Sequence, residues 1–185
     1  MNSKRIKRGE IQMIVLRVIA VAGIISIAMI APNALIILKP LLKDKKYTAS
    51  SYVNRTLDNL QRQELVDFDV RNGVRFYKLT QKGEEQLLKN DIFSIKFFRP
   101  KKWDGKWRIV SFDIFEDQRW KRDVLRSYMV KMGFVKIHQS VWLYPYSCKK
   151  QLEKIGSLLS IKQYIFYFET RKIQQQKYYK DIFDI

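Results

Sequence analysis

The apolar positions at the start of the chain repeat with helical spacing. Ile11, Ile14, Val15, Val18, Ile19 and Ala22 fall at i, i+3, i+4 and i+7 intervals, the pattern of one buried helix face. From Val18 to Leu38 the chain carries 21 residues without a charge, enough in length for a membrane span, which needs about 20. Pro32 and Asn33 interrupt that run, Arg17 lies within the periodic stretch, and basic residues flank it on both sides. A proline breaks a helix interior, and basic residues on both flanks specify no orientation. The pattern therefore predicts two buried helices, about residues 9–29 and 33–43, meeting at the proline, and no membrane.

The next segment changes period twice. Ser50 or Ser51 suits a helix start, where a side-chain oxygen accepts from the orphan amides of the first turn. Val53, Leu57 and Leu60 then share one face, which leaves Asn54, Arg55, Thr56 and Asn59 on others. Val66–Val70 and Val74–Leu79 read as strands around Arg71-Asn72-Gly73, and Asn-Gly is the strongest short hairpin signal because both residues accept positive φ. Leu79-Thr80-Gln81-Lys82-Gly83 opens a further helix, with Thr80 as its cap. Three helices, a hairpin and a closing helix form the order of a winged helix-turn-helix. In that arrangement the third helix enters the major groove and the hairpin tip touches flanking phosphates. Ser51, Asn54 and Arg55 are the base-edge candidates; Lys45, Lys46, Arg71 and Arg75 are the phosphate candidates, with Asn72 at the hairpin tip.

Beyond Ile92–Pro100, read as a bridge, the pattern becomes strand, helix, strand, strand, helix, strand. Trp107–Phe115 alternates as a strand, and Asp117–Met132 has Trp120, Val124, Leu125 and Tyr128 on one side and is closed by Gly133. Phe134–His138 and Val141–Tyr144 are short strands, Lys149–Leu159 is a helix, and Tyr164–Thr170 reads as a strand buried largely on both faces. This β-α-β-β-α-β order is that of the ferredoxin-like fold. The fold class is thus α+β. The expected domains are a winged helix-turn-helix over 1–91, a linker at 92–102, a ferredoxin-like dimerisation domain over 103–172 and a tail at 173–185. Trp107 and Trp142 are expected in the core or a dimer face, Trp103 as a latch, and the apolar tail on a partner subunit or across the sheet.

Charge narrows the partner. The chain carries 36 Lys and Arg against 18 Asp and Glu, a net +18, divided evenly between residues 1–100 and 101–185. Such basicity favours a polyanion, because neutralising phosphates releases counterions. The lone Cys148 rules out an internal disulfide and fits a reducing cytoplasm. One histidine, His138, cannot build a His-based metal cluster, and the seven glycines form no phosphate-binding loop.

Trp103–Asp117 (WDGKWRIVSFDIFED), Arg122-Asp123-Val124-Leu125-Arg126, and the set Gly133, Phe134, Gln139, Ser140, Val141, Trp142 and Pro145 resemble PaaX-type transcriptional repressors in a short, two-domain form. The resemblance implies an N-terminal winged helix joined to a domain like the small CRISPR-associated endoribonuclease. It implies a homodimeric, sequence-specific repressor on a palindromic double-stranded DNA operator, with half-sites about one or two helical turns apart. In the CRISPR-associated relatives an aspartate ending the first strand, paired across a dimer, is the proposed metal-binding residue, and Asp113 matches it. The alternative function is therefore a metal-dependent nuclease or CRISPR-linked accessory protein in which Asp113 holds Mg²⁺. With no second acid at useful spacing, Asp113 reads first as structural, capping a helix or pairing with Arg119 or Arg122. A regulator without a cofactor, rather than an enzyme, is the expectation. Operator, regulated genes and inducer leave no trace in the sequence.

Overall fold

A computed structural model describes residues 8–26 and 49–185. The expected helix at 33–43, together with Lys45 and Lys46, lies outside them. The chain divides into two compact units, Met1–Leu88 and Lys89–Ile185, and the fold is α+β.

In the first unit, helix α1 spans Arg8–Ala22 and strand β1 spans Ile24–Ser26. Helix α2 spans Ala49–Arg62, β2 Val66–Arg71 and β3 Val74–Leu79, and α3 begins at Gln81 and runs to Ser94. The sheet order is β1-β3-β2, antiparallel throughout. The expected first helix is shorter than its apolar run. Gly23 takes φ +71, which ends α1, and Ile24–Ser26 then pair with Lys78–Phe76 of β3. An all-apolar stretch supports helix and buried strand equally well, so periodicity alone missed this turn. No helix among the described residues is long and apolar enough to cross a membrane. The core joins Ile11, Val15, Leu16 and Ile19 of α1 to Val53, Leu57 and Leu60 of α2 and Tyr77 of β3.

In the second unit, β4 (Trp107–Phe112) leads through a 3₁₀ turn at Glu116–Gln118 to α4 (Arg119–Met132). Strands β5 (Val135–His138) and β6 (Val141–Tyr144) follow, then α5 (Lys149–Leu158), β7 (Ile165–Thr170) and α6 (Gln176–Phe183). The sheet order β5-β6-β4-β7 is antiparallel at every pair, as the ferredoxin-like β-α-β-β-α-β order requires. Gly133 closes α4 at φ +84, its amide donating to the Met129 and Val130 carbonyls. Val110, Phe112, Leu125, Tyr128, Trp142 and Ile155 are buried.

Residues read as a bridge pack on this unit. Ile92 is buried, the Tyr128 hydroxyl donates to the Ile95 carbonyl at 2.8 Å, and the Phe97 ring lies 5.6 Å from Tyr128 and 5.7 Å from Tyr144. The tail folds as α6 and lays Tyr179 and Phe183 against Trp107 at 6.5 and 6.0 Å, and Trp103 packs on the same ring at 4.9 Å. Strand β7 departs from its expected double burial: Phe166 and Phe168 are 52% and 55% exposed. They alternate with the half-buried Ile165 and Tyr167 and stand opposite Ser111 and Ile109 of β4. One face of this edge strand packs and the other is open, a distinction an apolar run does not record.

Candidate nucleic-acid interface

Helix α2 is amphipathic by spacing. Val53, Leu57 and Leu60 are fully buried, and Asn54 and Arg55 are exposed. The helix begins at Ala49, so Ser50 and Ser51 fall in its first turn rather than ahead of it. The side chain of Ser51 is outside the described residues.

The β2–β3 ribbon turns as its sequence demands, with Asn72 at φ +50 and Gly73 at φ +74. Register separates its two arginines. Arg75 pairs with Val70 and Arg71 with Val74, so they project from opposite faces. Each guanidinium lies over an aromatic ring, Arg75 at 4.8 Å from the centre of Phe68 and Arg71 at 5.6 Å from that of Phe76. Such contacts hold a planar cation in place for about 0.5–1 kcal/mol at exposed sites. Lys78 pairs with Asp69 at 3.7 Å and Asp67 at 4.0 Å, which offsets the acidic side of β2.

Helix and ribbon meet in a cleft of about 490 Å³ lined by Asn54, Asp58, Gly73, Arg75 and Tyr77. The structure thus brings Asn54 and Arg75 together and leaves Arg71 on the far face, with Arg55 and Asn72 exposed outside the cleft lining. Asp58 is the residue that sequence reasoning passed over. Its signal was there, since Asn54 and Asp58 stand at i and i+4 on one helix edge.

The Leu79–Gly83 stretch acquires a physical reason. The Gly83 amide donates to Thr80 Oγ1 at 3.1 Å, and the Thr80 hydroxyl donates to the Glu64 carbonyl at 2.6 Å. A Cβ at Gly83 would collide with the Leu65 carbonyl oxygen. Lys82 closes the cluster on Glu64 at 2.8 Å and holds that carboxyl below its ordinary range. These contacts lock the loop after α2 to the start of α3.

Asp113 follows β4 and is exposed. Its amide donates to the Tyr164 carbonyl at 3.0 Å. It does not pair with Arg119 or Arg122 as expected. Arg122 binds Glu116 at 2.7 Å, and Arg119 reaches Glu116 at 3.6 Å and Asp123 at 3.8 Å. Glu116 is nearer in the turn and wins both arginines, and its carboxyl is held below its ordinary range by the Arg122 hydrogen bond. The described residues contain no group of three metal-ligating side chains. Asp113 and Asp117 make no ion pair among the described residues, while Glu116 is claimed by arginine. Mg²⁺ is commonly held by one or two carboxylates with several waters, so an ion at Asp113 would draw on that carboxylate and on a second chain's.

Residues 100–181 match the family model of the PaaX protein central Cas2-like domain. That match covers the second unit almost completely and supports a PaaX-type relationship for it. A comparison with curated proteins found no match.

Proposed function

We propose that the chain is a sequence-specific DNA-binding transcriptional regulator, a homodimeric repressor whose first unit is a winged helix-turn-helix. One observation carries the reading: Asn54 on the exposed edge of α2 and Arg75 on the ribbon line the same cleft. An amide donates to and accepts from adenine N7 and N6 in the major groove, a carboxylate such as Asp58 accepts from cytosine N4, and an arginine neutralises a backbone phosphate. The net charge of +18 supplies the salt-sensitive attraction that brings a basic protein to DNA. The PaaX-type second unit supports a regulator over an unrelated nucleic-acid binder.

The dimer rests on the open sheet face. Phe166 and Phe168 expose apolar rings side by side with Ile109 of the neighbouring strand, and a second copy of the same face would cover them about a two-fold axis. Selection of bound sites from a random duplex library tests the function. One enriched, two-fold-related sequence that the protein protects in a footprint is expected. Equal recovery of all sequences sinks specific regulation.

A further inference from the structure

A second cleft, of about 580 Å³, lies wholly within the second unit, and none of its lining residues belongs to α2 or to the ribbon. Its volume falls in the range of small-molecule sites, roughly 300–1,000 Å³. The lining combines two chemistries. Phe98 and Tyr146 offer aromatic surface, and Phe98 is 76% exposed although it is a large apolar side chain. Lys102, Lys149 and Lys150 add three positive charges to the lining of the same space.

The floor is a charge cluster around one buried guanidinium. The Arg108 side chain is 4% exposed, and its guanidinium donates to both Asp104 oxygens and to the Lys106 and Pro145 carbonyls. Glu169 lies 3.7 Å from its Nε, which has no hydrogen-bond partner among the described residues. Hydrogen bonds from Arg108 hold the Asp104 carboxyl below its ordinary range, and those from Tyr167 and Lys106 do the same for Glu169. Both acids are therefore charged at neutral pH. Four cations face two carboxylates, which leaves an excess of two positive charges.

Lysines 149 and 150 also open α5. Cys148, the residue before them, makes no side-chain capping bond, and burial pushes its thiol up to about 12, so it brings no negative charge to the helix start. The first-turn amides thus keep their positive end for an incoming anion.

We propose that this cleft binds a phosphomonoester carried on a planar aromatic ring, the chemistry of a nucleoside monophosphate. The phosphate sits at the start of α5 between Lys149 and Lys150, and the ring lies against Phe98 and Tyr146. A phosphomonoester carries about −1.5 to −2 at neutral pH, which matches the excess charge of the lining. Two sources share this chemistry: a free nucleotide and the phosphorylated end of a strand.

Calorimetric titration of the full chain with adenosine monophosphate, adenosine and inorganic phosphate tests the site. The monophosphate should bind saturably, one per chain, and at least about ten-fold tighter than either fragment, since stacking contributes about 1–3 kcal/mol per base. Phe98→Ala, at an exposed position, should weaken the monophosphate about five-fold or more by the same stacking loss. Joint Lys149→Ala and Lys150→Ala should make monophosphate and adenosine bind alike, with the circular dichroism spectrum unchanged. A 5′-phosphorylated dinucleotide that binds tighter than the monophosphate assigns the site to a strand end, and one that binds no tighter assigns it to a free nucleotide. No saturable binding at millimolar monophosphate overturns the proposal. So does equal binding of inorganic phosphate alone, or an affinity untouched by both sets of substitutions.

Discussion

Arg108 occupies the interior of the second unit as a fully formed cation, held charged by Asp104, and its raised pKa follows from that hydrogen bond. Removing a buried charge's partner costs more than the pair itself contributes, because the remaining charge is left without compensation. The pH dependence follows from the two acids. Asp104 and Glu169 titrate in the folded chain below their ordinary values of 3.8 and 4.5. Their contribution is therefore complete above about pH 4.5 and is lost as pH falls through the lowered folded values. Thermal melts across this acid range should show the midpoint falling below about pH 4, and Asp104→Asn should lower the neutral-pH midpoint and flatten that acid limb. An acid limb identical in the variant would remove Asp104 from the account. Sequence reading saw Asp104 only as the neighbour of a latching Trp103. Trp103 does latch, packing on Trp107 and donating from Nε1 to the Lys106 carbonyl. The Asp104–Arg108 pair was not legible, because a contact across a turn into a strand leaves no periodic trace.

Elements with a strict period or a defined turn were legible from sequence, and those inside uniform apolar runs were not. The ribbon, α2, α4 and the strands of the second unit lie within a few residues of their expected positions because Asn72-Gly73, Gly133 and the i, i+4, i+7 apolar set each leave one physical option. Strand β1 and the open face of β7 were hidden by chains of apolar side chains that serve either element and either face. The contact between α3 and the loop after α2 makes a prediction at this scale. Gly83→Ala forces a methyl group into the Leu65 carbonyl, so the helix start must shift. Overpacking of this kind costs about 1–3 kcal/mol, whereas loss of the Thr80 cap in Thr80→Ala costs about 1 kcal/mol. Urea unfolding should rank the two in that order. A Gly83→Ala protein as stable as the parent would contradict the packing described here.

For the whole molecule, charge and symmetry are the governing quantities. The excess of 18 positive charges is spread over both units, so under the proposed function attraction to DNA would be general and specificity would have to come from a few groups. Phe166 and Phe168 make the account of assembly testable by sedimentation. The parent should run as a dimer, and Phe166→Glu with Phe168→Glu as a folded monomer, because like charges would face each other across the two-fold. A parent that is monomeric at every concentration would end the dimer reading without touching the DNA surface. Of the proposed DNA surface, the sequence offered Asn54 and Arg75 as candidates from their positions, but their shared cleft, the separation of Arg71 and the presence of Asp58 needed the register of the ribbon.

The most direct measurement compares affinity for a selected duplex with affinity for a scrambled one, in the parent, in Asn54→Ala and in Arg75→Ala, over a range of salt. Loss of a bidentate base contact costs about 1–3 kcal/mol of discrimination, and loss of a phosphate contact lowers the salt slope by about one. Asn54→Ala should therefore shrink the ratio of the two affinities roughly ten-fold, while Arg75→Ala should weaken both duplexes alike and flatten the salt dependence. A ratio that Asn54→Ala leaves unchanged would contradict the reading of α2 as the helix that recognises sequence.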